Sequence, residues 1–432
     1  MLFRKNRVAQ LLKQARSADS EQRKSAWEEL WRLENPSAAE ARTALEAARE
    51  SYTVPGDAIL PYEDSQELLI HVALEAPDPS FAPIVARDFE RYSPKARAAA
   101  CRLLLAINIG ESLNLLRELL LQYAPAGIAN TSLDLKTQRQ AEHLFPDVLV
   151  LLSDPRVGML RFSLAQECLE AFRNGWFSAR QFDDYASHVL TAYREVEAHL
   201  LPHQNPEALR TIWDNEKYLR WRWAGGVMLD LMGYFPTPEV LEALQQALQK
   251  YTDPYLLLYA VVSLVCYAEV DPQVIYTVAA CAEAREQLYE WLETYDRLDL
   301  FPAEFREQRW LAESQMVSWL IFPTELGRPP DEIEWMGAYP VLTEEGEAEV
   351  HLFRFPMDDE PWEAGIAGPY LLSEIPTTRH LGGTFSQFYK WDEYTPEEHV
   401  ERILRLLGTV RRVQTPAGER IFWRFRADEE EA

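Results

Sequence analysis

Apolar residues recur every three to four positions through most of the chain. Ala96, Ala100, Leu103 and Ile107 form one such series, and Val240, Leu241, Leu244 and Leu248 another. This is the period of a helix with one buried face. Helix starts are written into the sequence as a capping residue followed by proline, at Asn35-Pro36, Asp78-Pro79, Ser93-Pro94, Asp154-Pro155, Thr237-Pro238, Asp253-Pro254 and Asp271-Pro272. The capping side chain accepts an N–H of the first turn, and proline at the first helical position lacks an N–H that would have no helical partner anyway. Asp78 to Ser93, Thr237 to Asp253 and Asp253 to Asp271 are 15, 16 and 18 residues apart. Each interval holds one helix of three to four turns and a tight turn.

The helix after Asp253-Pro254 stands apart, because Leu256 to Val262 and Leu264 to Tyr267 are apolar on nearly every side. It requires cover on more than one face. Wet-faced helices alternating with enclosed ones are what stacked helical hairpins produce, since each hairpin buries its faces only against its neighbours. The paired helices and their Asp-Pro or Ser-Pro turns, as in Asp78-Pro79 to Ile107 and Thr237-Pro238 to Ala268, resemble HEAT repeats over roughly residues 5–320. The resemblance implies an α-helical solenoid that offers an extended surface to a partner. Ser51 to Tyr62 and Ala124 to Leu135 read as longer loops, whereas Ser178 to Leu201 and Pro302 to Phe322 exceed the usual repeat helix.

Beyond Pro323 glycine and proline become frequent, and alternating β-branched and aromatic residues replace the helical period. Strands are predicted at Trp335–Leu342, Glu349–Phe355, Glu363–Leu372, Val410–Val413 and Arg420–Phe425. A helix opens at Thr395-Pro396 and ends near Gly408, and Thr415-Pro416-Ala417-Gly418 supplies a turn. The expected fold is mainly α: a HEAT-like solenoid over residues 1–323, a small α+β domain over 324–427 and an acidic tail over 428–432.

Charge narrows the functional classes. Lysine and arginine total 43 against 69 acidic residues, a formal net charge of −26. That field repels nucleic acid and anionic lipid and speeds encounter with a cationic partner. Apolar runs fall short of the roughly 20 residues that span a bilayer, and the N-terminus reads as an amphipathic helix rather than a signal. Cys101, Cys168, Cys266 and Cys281 lie far apart within helical patterns, where a thiol packs as a small hydrophobe. A cytoplasmic protein is expected, with no cofactor and no membrane contact.

No catalytic motif is present. His199 and His203 have the i, i+4 spacing of a zinc helix, but Pro202 breaks it and no glutamate base lies between them, so no metal site is expected. Sequence-adjacent acids such as Asp183-Asp184 and Asp358-Asp359 point to different sides where they lie on a helix and are solvated where they lie in a loop. Two stretches stand out. Trp213, Tyr218, Arg220, Trp221, Arg222 and Trp223 gather the residue types enriched at binding hot spots. The plainer reading packs these aromatics between repeats while the arginines reach solvent. Gly382, Gly383 and Thr384, after His380, place backbone N–H groups where an anion can bind, or simply form a turn; Gly365 to Pro369 allows a close approach. The expectation is a non-enzymatic scaffold or inhibitor that holds a protein partner, of basic character, on an acidic surface. The alternative is an enzyme with a small-molecule site in the C-terminal domain or at its junction with the helices.

Overall fold

A computed structural model describes residues 6–425 apart from 57, 63, 206–208, 210, 323, 357–360, 374 and 417, with backbone alone at 179–181, 388 and 425. The tail 428–432, Asp358-Asp359 and Pro323 lie outside the described residues. The chain divides into two compact units. One comprises the residues up to Ala198 with Val227–Val240, the other His199–Gly226 with the residues from Leu241 onward.

The first unit is helical. It contains α1 (Arg7–Ala15), α2 (Ser20–Trp31), α3 (Ala38–Ala47), α4 (Ser65–Leu74), α5 (Ala82–Asp88), α6 (Pro94–Ile107), α7 (Gly110–Gly127), α8 (Gln138–Leu144), α9 (Leu160–Arg173) and all but the last two residues of α10 (Ala186–Leu200). Neighbouring helices pack in sequence order, α1 on α2, α3 on α4, α6 on α7 and α7 on α8. The Ser93 hydroxyl accepts from Ala96 N as the cap of α6. At Asn35-Pro36 the cap falls two residues later: Ser37 and Glu40 form a reciprocal capping box, and Asn35 takes a left-handed φ of 50°. Asp154-Pro155 opens only a 3-10 turn, Pro155–Val157, before α9 begins.

The loop after α7 is held by a carboxylate from another helix. Glu167 of α9, itself buried, accepts hydrogen bonds from the Ser132 hydroxyl and from the N–H groups of Leu133, Asp134 and Leu135, at 2.7–3.0 Å. Backbone donors that no secondary structure satisfies thus find an acceptor.

Helix α11 (Glu216–Met232) carries the unit boundary, as does α12 (Pro238–Lys250). The second unit continues with α13 (Pro254–Leu264), α14 (Pro272–Ala280), α15 (Ala282–Thr294) and α16 (Gln308–Leu320). Helix α13 is buried along nearly its whole length, from Leu256 to Leu264, as its all-round apolar character requires. Cys101 and Cys168 are buried, Cys281 is half-buried and Cys266, just past the end of α13, is exposed rather than packed as a hydrophobe.

The C-terminal part is a mixed sheet of β1 (Glu334–Leu342), β2 (Glu347–Phe355), β3 (Glu363–Leu371), β4 (Gly383–Lys390), β5 (Gly408–Thr415) and β6 (Gly418–Phe425), with α17 (Pro396–Leu407) between β4 and β5. The strand order is β4-β3-β2-β1-β6-β5, with only the β1–β6 pair parallel among the described strands. Strand β4, Gly-Thr-Phe-Ser-Gln-Phe-Tyr-Lys, is the one that the sequence pattern missed. Helix α17 covers one sheet face, packing Val400, Ile403 and Leu404 on Val350, Leu352 and Ile366. Helix α16 covers the other, packing Ala312, Met316 and Leu320 on Phe353, Phe355 and Ala367. Strand β3 is therefore buried on both faces. Among the described residues no helix is long and apolar enough to cross a membrane.

Candidate functional site

Trp213 sits in a 3-10 turn, Ile212–Asp214, and the rest of the aromatic–arginine stretch lies on α11, whose first turn is capped by Asn215 Oδ1 accepting from Tyr218 N. One helical face presents Tyr218, Arg222 and Gly226 at intervals of four. Tyr218 and Arg222 are only 2% and 5% exposed. Arg222 is clamped between two acids of later helices. Nε and Nη2 donate to Asp253 Oδ2 and Oδ1 at 2.7 and 2.9 Å, and Nη1 and Nη2 donate to Glu283 Oε1 and Oε2 at 2.6 and 2.9 Å. Four of the five guanidinium donors are thereby committed. The group also lies over the Tyr255 ring at 4.2 Å and the Trp213 ring at 5.3 Å. Burial works to lower its pKa, but Glu283 and Asp253 outweigh it and hold the value well above the ordinary one, so the charge stays.

Asp253 serves this cluster twice. It caps α13 by accepting from Tyr255 N at 3.0 Å, and it also accepts from the Tyr218 hydroxyl at 3.2 Å. Gln204 closes the ring: its Oε1 accepts from Thr252 N and Asp253 N, and its Nε2 donates to the Tyr218 oxygen at 3.1 Å. Close approach of α13 needs Gly226, where a Cβ would stand 2.8–2.9 Å from the Tyr259 and Tyr255 rings. Asp253 was legible only as a helix cap and Glu283 not at all, since neither their burial nor their convergence has a sequence signature.

The stretch is thus split. Arg222 does not reach solvent as the sequence suggested for both arginines, because two carboxylates draw it inward. Arg220 is exposed and pairs loosely with Glu216 at 3.3 Å. Trp221 is half-buried and stacks on His199, with ring centroids 3.9 Å apart; Trp213 and Trp223 are half-buried as well. His203 meets the Tyr218 ring edge-on at 4.9 Å. Each histidine of the zinc-like spacing therefore has an aromatic neighbour, and no group of three metal-ligating side chains occurs among the described residues.

Gly382, Gly383 and Thr384 lead into β4, where Gly383 pairs with Gly368 and Thr384 with Ala367. Gly382 is needed for packing: a Cβ there would lie 3.0 Å from Trp423 and 3.1 Å from the Gly368 oxygen. Gly365 likewise allows Met316 of α16 onto the sheet, but from within β3 rather than from a turn. Beside this region a cavity of about 350 Å³ is lined by Leu371, Ser373, Thr377, Arg379, His380 and Leu381. Thr384 is not among its walls.

Beneath the sheet runs a polar chain that has no sequence motif. The Tyr370 hydroxyl donates to Gln315 Oε1, while Gln315 Nε2 donates to Glu286 and to the Thr378 carbonyl. Burial pushes the Glu286 carboxyl up to about 7, despite the opposing hydrogen bond from Gln315. Segment 376–378 is held further by Tyr289, whose hydroxyl donates to the Pro376 carbonyl, and by a reciprocal pair between Gln308 and Thr377 at 2.8 Å. Nearby, Trp335 Nε1 donates to His351 Nδ1 at 3.2 Å. An indole only donates, so the ring proton of neutral His351 sits on Nε2, which lies 3.1 Å from Glu349. These groups are positioned to hold elements together; they do not combine a nucleophile with a base.

Comparison with known proteins found no matching family model, no matching curated protein and no matching solved structure.

Proposed function

We propose that the chain is a HEAT-like helical-repeat protein that performs no chemistry itself and holds a basic protein partner on an acidic helical surface. One observation carries this reading: the chain has a formal charge of −26, and its most conspicuous arginine cluster does not offset that charge at the surface. Arg222 is enclosed by Asp253 and Glu283, and Arg220 is exposed beside Glu216. Packed neighbouring helices support the repeat architecture, and an acidic field accelerates association with a cation-rich partner.

Capture from an extract of the native organism at low and at high salt tests the partner. Basic proteins retained at about 50 mM salt and released at about 500 mM are expected, since the Debye length shortens across that range. Retention of acidic or salt-insensitive proteins alone defeats the reading. Small-angle scattering tests the solenoid, which requires a radius of gyration above the roughly 22 Å of a compact chain of this length.

A second reading places a small-molecule site in the C-terminal α+β part, favoured by the 350 Å³ cavity with Arg379 and His380 in its wall. A thermal-shift screen of small carboxylates against the wild type and Arg379→Ala tests it.

A further inference from the structure

A cavity of about 580 Å³ opens in the first unit between the end of α2 and helix α4. Its floor is apolar, with Leu33 and Leu68 buried. Its walls are aromatic. The Trp31 indole is 42% exposed and meets the Tyr62 ring at 5.4 Å and 77°, so two ring planes form a corner. Tyr62 in turn stacks on His71 at 4.4 Å and 18°, which fixes its orientation. Arg102 Nη2 lies 3.1 Å from His71 Nε2. A guanidinium only donates, so this nitrogen accepts and the ring is neutral with its proton on Nδ1. Burial, and then Arg102, lower the pKa of His71 to about 4, which agrees with that tautomer. Glu34 and Glu75 also line the cavity, with Arg32 its one cationic lining residue.

An apolar floor suits an aliphatic stem, perpendicular ring faces attract a cation through their quadrupoles, and nearby carboxylates complement its charge. We infer that the Trp31–Tyr62 corner receives a lysine or arginine side chain of the basic protein partner. The inference rests on the partner reading above and deepens it. It also moves the recognising aromatics away from α11, where Tyr218 and Trp213 pack around Arg222.

The probes are acetyl-Gly-Arg-Gly-amide and acetyl-Gly-Lys-Gly-amide, with the alanine and tryptophan peptides as neutral controls. The full chain is labelled with 5-fluorotryptophan, and the Trp31 ¹⁹F signal is assigned by its loss in Trp31→Phe. The arginine and lysine peptides are expected to shift that signal saturably at millimolar concentration. Glu75→Gln, which leaves the rings in place, is expected to weaken them at least threefold. An unmoved Trp31 signal, an equal response to the alanine peptide, or tighter binding of the tryptophan peptide overturns the site. The extract capture reads the parent proposal separately. Basic proteins retained equally by wild type and Trp31→Ala remove this site and leave the partner reading standing. A capture that retains nothing, beside a positive peptide titration, does the reverse.

Discussion

Arg222 and Asp253 meet through two parallel hydrogen bonds of 2.7 and 2.9 Å, both side chains almost wholly enclosed. Because Asp253 also caps α13, this one contact fixes the start of that helix against α11, and Glu283 adds α15 to the same guanidinium. Removing the guanidinium leaves two acids facing each other without a counter-charge. Arg222→Ala is expected to cost about 3–5 kcal/mol in urea unfolding. Arg220→Ala is expected to stay within about 0.5 kcal/mol, as an exposed arginine with a loose partner does. Equal midpoints for the two variants would contradict the enclosed ion cluster.

Glu286 gives the second unit a pH dependence of definite sign. Its folded pKa, about 7, lies above the ordinary 4.5, so between those values the folded state binds more protons than the unfolded one. The contribution of this group to stability is therefore fully present below about pH 4.5 and is lost as pH rises towards 7, by about 3 kcal/mol. Asp230 in the first unit, raised by burial to about 6 against the pull of Arg173, acts in the same direction over a lower range. Glu286→Gln keeps an acceptor for Gln315 and removes the ionisation. Urea midpoints at pH 5.5 and pH 8 are expected to differ less in this variant than in wild type.

Two glycines of the sheet separate backbone from side-chain crowding. At Gly408 a Cβ would stand 2.1 Å from the Arg424 carbonyl oxygen, and the backbone cannot yield without breaking the β5–β6 pairing. At Gly365 the nearest atoms belong to the flexible end of Met316, at 2.7 Å. Gly408→Ala is expected to destabilise by more than about 3 kcal/mol and Gly365→Ala by about 1–2 kcal/mol, read from thermal melts.

A chain ending at Phe322 keeps every helix through α16 but uncovers Ala312, Met316 and Leu320, and it strands Gln315 without Tyr370. It is expected to bind the dye ANS and to aggregate, while the chain carrying the sheet does not. A soluble, dye-silent product would show that the compositional break near residue 323 is also a folding boundary.

Local chemistry was enough for the parts of this protein that depend on neighbours in the chain. Proline after a capping residue marked the starts of α6, α12, α13 and α14, and the change to β-branched and aromatic residues between glycines and prolines placed β1, β2 and β3 within two residues. Strand β4 escaped because Gly383-Thr384-Phe385-Ser386 reads as a loop until β3 is there to pair with it. The aromatic–arginine stretch was visible, but which arginine faced solvent was not: Arg220 and Arg222 differ only by position, and Asp253 and Glu283 decide between them from 31 and 61 residues away. Glu167 holds the loop at Ser132 to Leu135, and Trp31 reaches Tyr62, in the same way. Composition fixes the acidic field at −26, since charge adds up without regard to position. Burial, pairing and the pKa of Glu286 depend on which distant groups share a low-dielectric space, and only the tertiary structure decides that.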